Sequence, residues 1–176
     1  MTHALKNLEK IEIRALTPED WEAVRAIYLE GIATGQATFE TTAPPREKWD
    51  SNHLPFARLV AISERNGGGI KGWAALSQVS TRLVYAGVAE VSVYVASDCR
   101  GQGIGRALLE QLIDESEKNG IWTLQASLFA ENIGSVALHK GCGFRQVGIR
   151  EHIGKLNGVW RDTVLLERRS KFAGTK

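Results

Sequence analysis

Cysteine is nearly absent from this chain: Cys99 and Cys142 are the only two. They have no metal-ligand spacing and cannot form a disulfide framework, so no metal is expected and a reduced, cytoplasmic setting is. No apolar run approaches the ~18 residues of a membrane-crossing helix, and the N-terminal stretch lacks the apolar core of a secretion signal. An excess of one charge is missing too. The 22 Lys and Arg against 20 Asp and Glu leave a net charge of +2. The basic residues are dispersed except for Arg168, Arg169 and Lys171, which read as a solvated tail, and this balance argues against a nucleic-acid or membrane partner. There is no internal repeat, low-complexity segment or linker. What remains is 43% apolar and 24% charged over 176 residues, the composition of one globular domain, expected to span residues 1–176.

The chain is organised around one strand, turn and helix. Glu90, Ser92 and Tyr94 alternate with Val91, Val93 and Val95 at the period of a strand. Ile104, Leu108 and Leu112 then recur at helical spacing, widened by Ala107 and Leu109, and the helix stops at Asn119-Gly120. Between them stand Arg100, Gly101, Gln102, Gly103, Ile104, Gly105 and Arg106. Three glycines at a helix start leave backbone N–H groups uncovered beside a partial positive charge, which suits a phosphate or pyrophosphate.

On either side, the pattern predicts the remaining elements. Ile11, Ile13 and Ala15 mark a first strand. Thr17-Pro18-Glu19-Asp20 opens a helix whose apolar stripe is Trp21, Val24, Ile27, Tyr28 and Ile32. A long irregular connection through Phe39 and Pro44-Pro45 follows, with a short helix from Arg46 to His53. Loops this long are often functional; Phe39 either lines a substrate pocket or plugs the core. Arg58–Arg65 and Ile70–Ser80 form a hairpin about Asn66-Gly67-Gly68-Gly69. Later come a strand at Thr123–Phe129 and a helix capped by Asn132 and running through Lys140 to Gly141 and Gly143. Phe144–Ile153 and Val159–Arg168 pair as a hairpin across Lys155-Leu156-Asn157-Gly158.

Three known phosphate loops compete for residues 100–106. A Walker loop fails because Arg106, not Lys, follows Gly105. A dinucleotide fingerprint fails because its last glycine falls on Arg106. The Arg/Gln-x-x-Gly-x-Gly/Ala loop of the GNAT superfamily of N-acetyltransferases is matched by Arg100, Gly103 and Gly105. For these residues alone a plain chain-reversing turn would suffice; the strand before and the motifs after favour the phosphate loop. The resemblance is carried further by Tyr85 to Val95, Gly120-Ile121-Trp122, Asn132 to His139, Gly143-Phe144 and Gly158 to Asp162. Together these resemble the phosphinothricin N-acetyltransferase branch, which includes methionine sulfone and sulfoximine acetyltransferases. In one departure, Val79 and Ser80 stand where the branch often has Phe-Arg before its Arg-x-x-Tyr segment, here Arg82 to Tyr85.

The resemblance implies an α/β fold with a mixed, mostly antiparallel central sheet flanked by helices. It implies acetyl-CoA as cosubstrate, held by the 100–106 loop, by the splayed strand at Val93, Tyr94 and Val95, and by Asn132 and Ser135. The N–H region of Val93 is the expected oxyanion donor. The substrate side is expected at Phe39, Glu40, Arg82, Tyr85 and Glu90. Glu90 is the candidate base, because a carboxylate among apolar neighbours is costly unless it has a task. Its alternatives are an exposed strand position or an ion pair with Arg82. Asn132, Ser135 and His139 share one helix face. His139 is the candidate acid for the leaving thiolate, with a packing residue as the alternative. Trp160 and Asp162 either close the substrate side or, for Trp160, join the core. The implied partner is a small amino-acid-like amine, and the implied assembly a homodimer with the Phe39 loop near a neighbouring subunit's pocket. A non-catalytic acyl-CoA sensor, or an enzyme acetylating protein N-termini, are the rival functions.

Overall fold

A computed structural model describes residues 11–64 and 68–175. Its elements are β1 (Glu12–Ala15), α1 (Trp21–Ala33), α2 (Arg46–Asn52), β2 (Leu59–Ile62), β3 (Ile70–Gln78), β4 (Val88–Val95), α3 (Ile104–Lys118), β5 (Thr123–Phe129), α4 (Ile133–Gly141), β6 (Arg145–Leu156) and β7 (Val159–Arg169). The strands form one seven-stranded sheet in the order β1-β2-β3-β4-β5-β7-β6. Every neighbouring pair is antiparallel except β4 and β5, which run parallel. The expected mixed, mostly antiparallel sheet is therefore present. Among the described residues, no helix is long and apolar enough to cross a membrane.

The amphipathic stripe of α3 explains its place. Ile104, Leu108, Leu109 and Leu112 are essentially fully buried, each contributing about 1.5–3 kcal/mol of apolar burial. The opposite layer is aromatic. The β3–β4 register sets Trp73 beside Tyr94, and their rings stack at 4.7 Å. Tyr28 of α1 meets Tyr94 edge-on at 4.9 Å, and Trp49 of α2 meets Trp73 at 5.5 Å. At the start of α1, the Asp20 carboxylate accepts from Thr17 N at 2.7 Å and forms a two-pronged pair with Arg14 at 2.7 and 2.9 Å. The Arg14 guanidinium holds the Asp20 carboxyl down at about 2.

Element boundaries moved where tertiary pairing overrode local pattern. The last hairpin closes on Asn157-Gly158 alone, because both residues take positive φ, 49° and 81°, the geometry of a tight two-residue turn. β6 therefore extends to Leu156 instead of ending at Ile153. β3 stops at Gln78 and α2 at Asn52, each short of the predicted end. β2 covers only Leu59–Ile62, paired antiparallel with β3; the predicted turn there falls partly on residues 65–67, outside the described residues.

Candidate active site

The site originates in a fault in the sheet. β4 pairs with β5 only at Val88–Glu90 against Thr123–Gln125. Beyond Glu90 the strands part, and β4 keeps its partner on the β3 side alone as far as Val95. The backbone groups of β4 that face away from β3 are thus open to a ligand. A cavity of about 510 Å³ occupies this opening, with Tyr28, Phe39, Glu40, Trp49, Trp73 and Glu90 towards the α1–α2 layer and Asn132, Ser135 and His139 of the α4 segment in its wall. Val93, Tyr94, Ser127 and Thr163 line it as well.

Glu90 stands where the strands separate. Gln125 Nε2 donates to its carboxylate at 3.3 Å and Ser127 Oγ at 3.5 Å. Burial pushes its carboxyl above the usual range, partly opposed by these two hydrogen bonds and by the charge of Arg150. The alternative of an Arg82 ion pair is not met: Arg82 is exposed and lies over the Tyr85 ring at 5.4 Å. Neither Arg82 nor Tyr85 lines the cavity, and the apolar side chains between them, Leu83 and Val84, are 89% and 64% exposed. Among the described residues, Lys48 is the only lysine or arginine in the cavity wall.

His139 is 2% exposed. Its Nδ1 lies 2.7 Å from Ser135 O, and since a carbonyl can only accept, Nδ1 carries the proton and Nε2 is bare. Among the described residues Nε2 has no hydrogen-bond partner, and neither does the buried Thr163 hydroxyl in the same wall. Burial lowers the His139 pKa, so the ring is neutral at neutral pH and Nε2 is an acceptor until a proton reaches it. The Asn132 side chain is committed twice. Its Oδ1 accepts from Ser135 N at 3.2 Å, capping α4, and its Nδ2 donates to Gln36 O at 3.2 Å.

Residues 100–106 lie beyond the C-terminal end of β4, outside the cavity wall. Gly101 and Gly103 have φ of 74° and 88°, and the space where their side chains would be is open for 4 Å. The first helical bond runs from Ala107 N to Gly103 O at 3.0 Å. The amides of Ile104, Gly105 and Arg106 therefore have no partner within the helix. Gly105 differs from the other two glycines, since a side chain there would meet Leu138 at 3.2 Å and Val95 at 3.5 Å. Arg106 is occupied by Glu110 at 2.8 Å and Gly141 O at 3.4 Å, and Arg100 Nε reaches Val95 O at 3.4 Å. An uncovered, amide-rich loop continuous with an unpaired strand edge fits a pyrophosphate with an extended arm. Of the two C-terminal candidates, Trp160 is 51% exposed under Lys155 at 4.6 Å, so the core alternative is corrected. Asp162 Oδ1 accepts from His152 N at 2.8 Å, tying down the bulge in β6.

Sequence reasoning overlooked Lys48, Trp49, Trp73, Gln125, Ser127 and Thr163. Only the Glu90↔Gln125 register brings Gln125 and Ser127 to Glu90. The period-2 pattern of β5 did place those two side chains on one face, which was the one available signal.

A strand that leaves its parallel neighbour beside an amide-rich helix start, over a cavity walled by a half-buried carboxylate, is an arrangement that can hold a long anionic donor beside a proton acceptor. The chain belongs to the GNAT acetyltransferases: the family model for the acetyltransferase (GNAT) domain matches residues 13–165. It is 34% identical to a phosphinothricin N-acetyltransferase of Alcaligenes faecalis, covering 89% of this chain and 81% of that one. It is 26% identical to an L-methionine sulfoximine/L-methionine sulfone acetyltransferase of Pseudomonas aeruginosa, over 88% and 92%. Among solved structures, a GNAT superfamily phosphinothricin acetyltransferase from Sinorhizobium meliloti in complex with acetyl-CoA superposes with a TM-score of 0.84 at 28% identity, over 94% and 91%.

Proposed function

We propose that this acetyl-CoA-dependent N-acetyltransferase acts on the α-amino group of a small amino acid or analogue bearing a tetrahedral polar group, of the methionine sulfone, methionine sulfoximine or phosphinothricin type. The observation that carries the reading is Glu90, a carboxylate with a raised pKa at the mouth of the strand fault and in the wall of the cavity. An α-amine is mostly protonated at neutral pH, and Glu90 accepts its proton. Acetyl-CoA supplies the activated acetyl group when bound. The amides of the 101–106 loop hold its pyrophosphate, and the unpaired β4 edge around Val93 to Val95 holds its arm and the carbonyl oxygen, with Ser135 beside it. A non-catalytic sensor would have no use for a base facing the acceptor, and an enzyme for protein N-termini would prefer peptides in the screen below.

On the acceptor side, Phe39 and Glu40 stand at the cavity wall. Lys48 is the cation placed to meet the acceptor's carboxylate. His139 receives or relays a proton through its bare Nε2, and does not start as the acid. Arg82 and Tyr85 lie outside this chain's own cavity on an exposed apolar segment. That position supports a homodimer in which the segment packs on a second copy. The test is a screen of amino acids and their sulfone, sulfoximine and phosphinate analogues, reading free thiol released from acetyl-CoA. Methionine sulfone should far outperform methionine, because a site built for oxygens rejects analogues lacking them. Equal turnover of the two, or a preference for peptides or polyamines, would overturn the reading.

A further inference from the structure

The connection between α1 and α2 forms one wall of the cavity through Ala37, Thr38, Phe39 and Glu40. Its own internal bonds are short-range: Thr34 Oγ1 to Gly31 O at 2.6 Å, Gln36 N to Thr34 Oγ1 at 3.1 Å and Glu40 N to Thr38 Oγ1 at 3.1 Å. Such turns shape a loop without fixing it to the body of the protein. Its ties to the body are of two kinds: the Thr38 side chain hydrogen-bonds with Tyr28 and Tyr94, and others come from the far end of the chain. Arg161 Nη1 of β7 donates to Gly35 O at 2.9 Å across 126 positions of sequence. The same guanidinium lies 4.1 Å from the centre of the Phe129 ring and pairs with Glu131 at 3.4 Å, with its side chain only 15% exposed. Phe39 meets Phe129 edge-on at 4.7 Å. The ring of Phe39 also rests on bare backbone at Gly154 of β6, where a β-carbon would come within 2.9 Å of it.

We infer that the β6–β7 hairpin, through Arg161 and Gly154, sets the position of the loop carrying Phe39 and Glu40, and that Arg161 and Gly154 are positioning residues for acceptor selectivity. Arg161 holds the loop's backbone and the ring on which Phe39 rests. Gly154 leaves the space into which Phe39 settles. A bound cation in a planar fork suits this task because one guanidinium can hold a carbonyl, a carboxylate and an aromatic face together. Asn132 adds a third tie at Gln36 O, so the loop touches the segment proposed for the cofactor as well as the hairpin. The inference rests on the reading of this cavity as the acceptor site, and its first measurement does not.

Hydrogen exchange on Arg161→Met and Arg161→Lys in the full chain tests the anchoring without any substrate. Losing a hydrogen bond from a charged donor should speed exchange of the amides in residues 34–40 by roughly tenfold or more, with α3 and β4 unchanged. Lysine should recover only part of the protection. Steady-state kinetics then tests selectivity. In Arg161→Met and in Gly154→Ala, the acceptor KM should rise roughly tenfold while acetyl-CoA affinity by calorimetry stays within about twofold. Unchanged exchange at 34–40 in a folded Arg161→Met protein would overturn the anchoring, whatever the acceptor proves to be. Faster exchange with unaltered KM and acceptor order in both variants would overturn the selectivity role. If the wild-type protein acetylates none of the tested amines, the proposed acceptor class fails while the exchange result still decides the anchoring.

Discussion

The donor and acceptor sides of the site are built on different principles. The proposed donor side is mostly continuous in sequence: β4, the 100–106 loop and the first turn of α3 follow one another and offer mainly backbone, with the start of α4 at Asn132 and Ser135 added from further along the chain. The acceptor side is gathered from the α1–α2 connection, α2, β3, β4, β5 and β7, and what it offers is side chains. Backbone recognition tolerates many sequences so long as glycine keeps the amides uncovered. Side-chain recognition depends on where distant elements come to rest. The donor side should therefore fail by obstruction, and the acceptor side by loss of a functional group or of position.

The largest effect should come from the acceptor side. Glu90→Gln keeps the shape and removes the proposed base, so kcat/KM should fall by ~10²–10⁴-fold, with acetyl-CoA affinity unchanged and partial recovery at high pH. In the wild type, burial raises the Glu90 pKa. The base is thus lost as pH falls through a value above the ordinary carboxylate range, and the acidic limb of the pH–rate profile should lie there. A mutant with an unaltered profile would return Glu90 to a structural role. On the donor side, Gly103→Val places a branched side chain at φ 88° over the amide-rich turn. It should weaken acetyl-CoA binding by at least roughly tenfold in a protein that still folds. Gly103 is a cleaner test than Gly105, whose substitution would also press on Leu138 and Val95. Calorimetry showing native affinity would remove the loop from the site.

Smaller effects sharpen the contrast. Lys48→Met should raise KM for carboxylate-bearing acceptors by roughly tenfold and leave amines without a carboxylate little changed; equal effects on both would deny Lys48 its partner. If the exposed 82–85 segment packs on a second copy as proposed, Leu83→Asp should shift sedimentation from dimer to monomer, with acetyl-CoA binding retained. A wild-type protein that is already a fully active monomer would dispose of the dimer. Remote from both sides, the depressed Asp20 pKa stabilises the fold while the carboxylate stays charged. Because the folded value lies below the unfolded ~3.9, this contribution is complete above that pH and is lost as pH falls towards 2. With Arg14 at 36% exposure, it amounts to about 1 kcal/mol after screening. Asp20→Asn should accordingly lower the neutral-pH melting temperature by about 2–4 °C and leave kinetics alone.

Much of the fold was legible because its signals are local. The α3 stripe, the Asn157-Gly158 turn, the Asn132 cap and the alternation in β4 each depend on neighbours within one or two turns of chain. Arg82 shows where that legibility stops. Its place in a motif pointed to the substrate, yet the segment after β3 leaves it on the surface, and no spacing in the sequence states which way that segment turns. Trp73 and Tyr94 show the complementary case. Each lies in a strand that was predicted, but that their rings stack side by side in the cavity wall depends on the β3–β4 register.

By itself the sequence determined the strand–loop–helix unit, its three glycines and the placement of Glu90 on a strand face opposite three valines, because periodicity and backbone freedom are properties of short stretches. Only the tertiary structure decided that β4 leaves β5 just after Glu90, that Gln125 and Ser127 become its partners, and that Arg161 reaches Gly35 across the fold. Those outcomes come from competition among long-range pairings, in which register and packing are settled jointly by elements far apart in the chain.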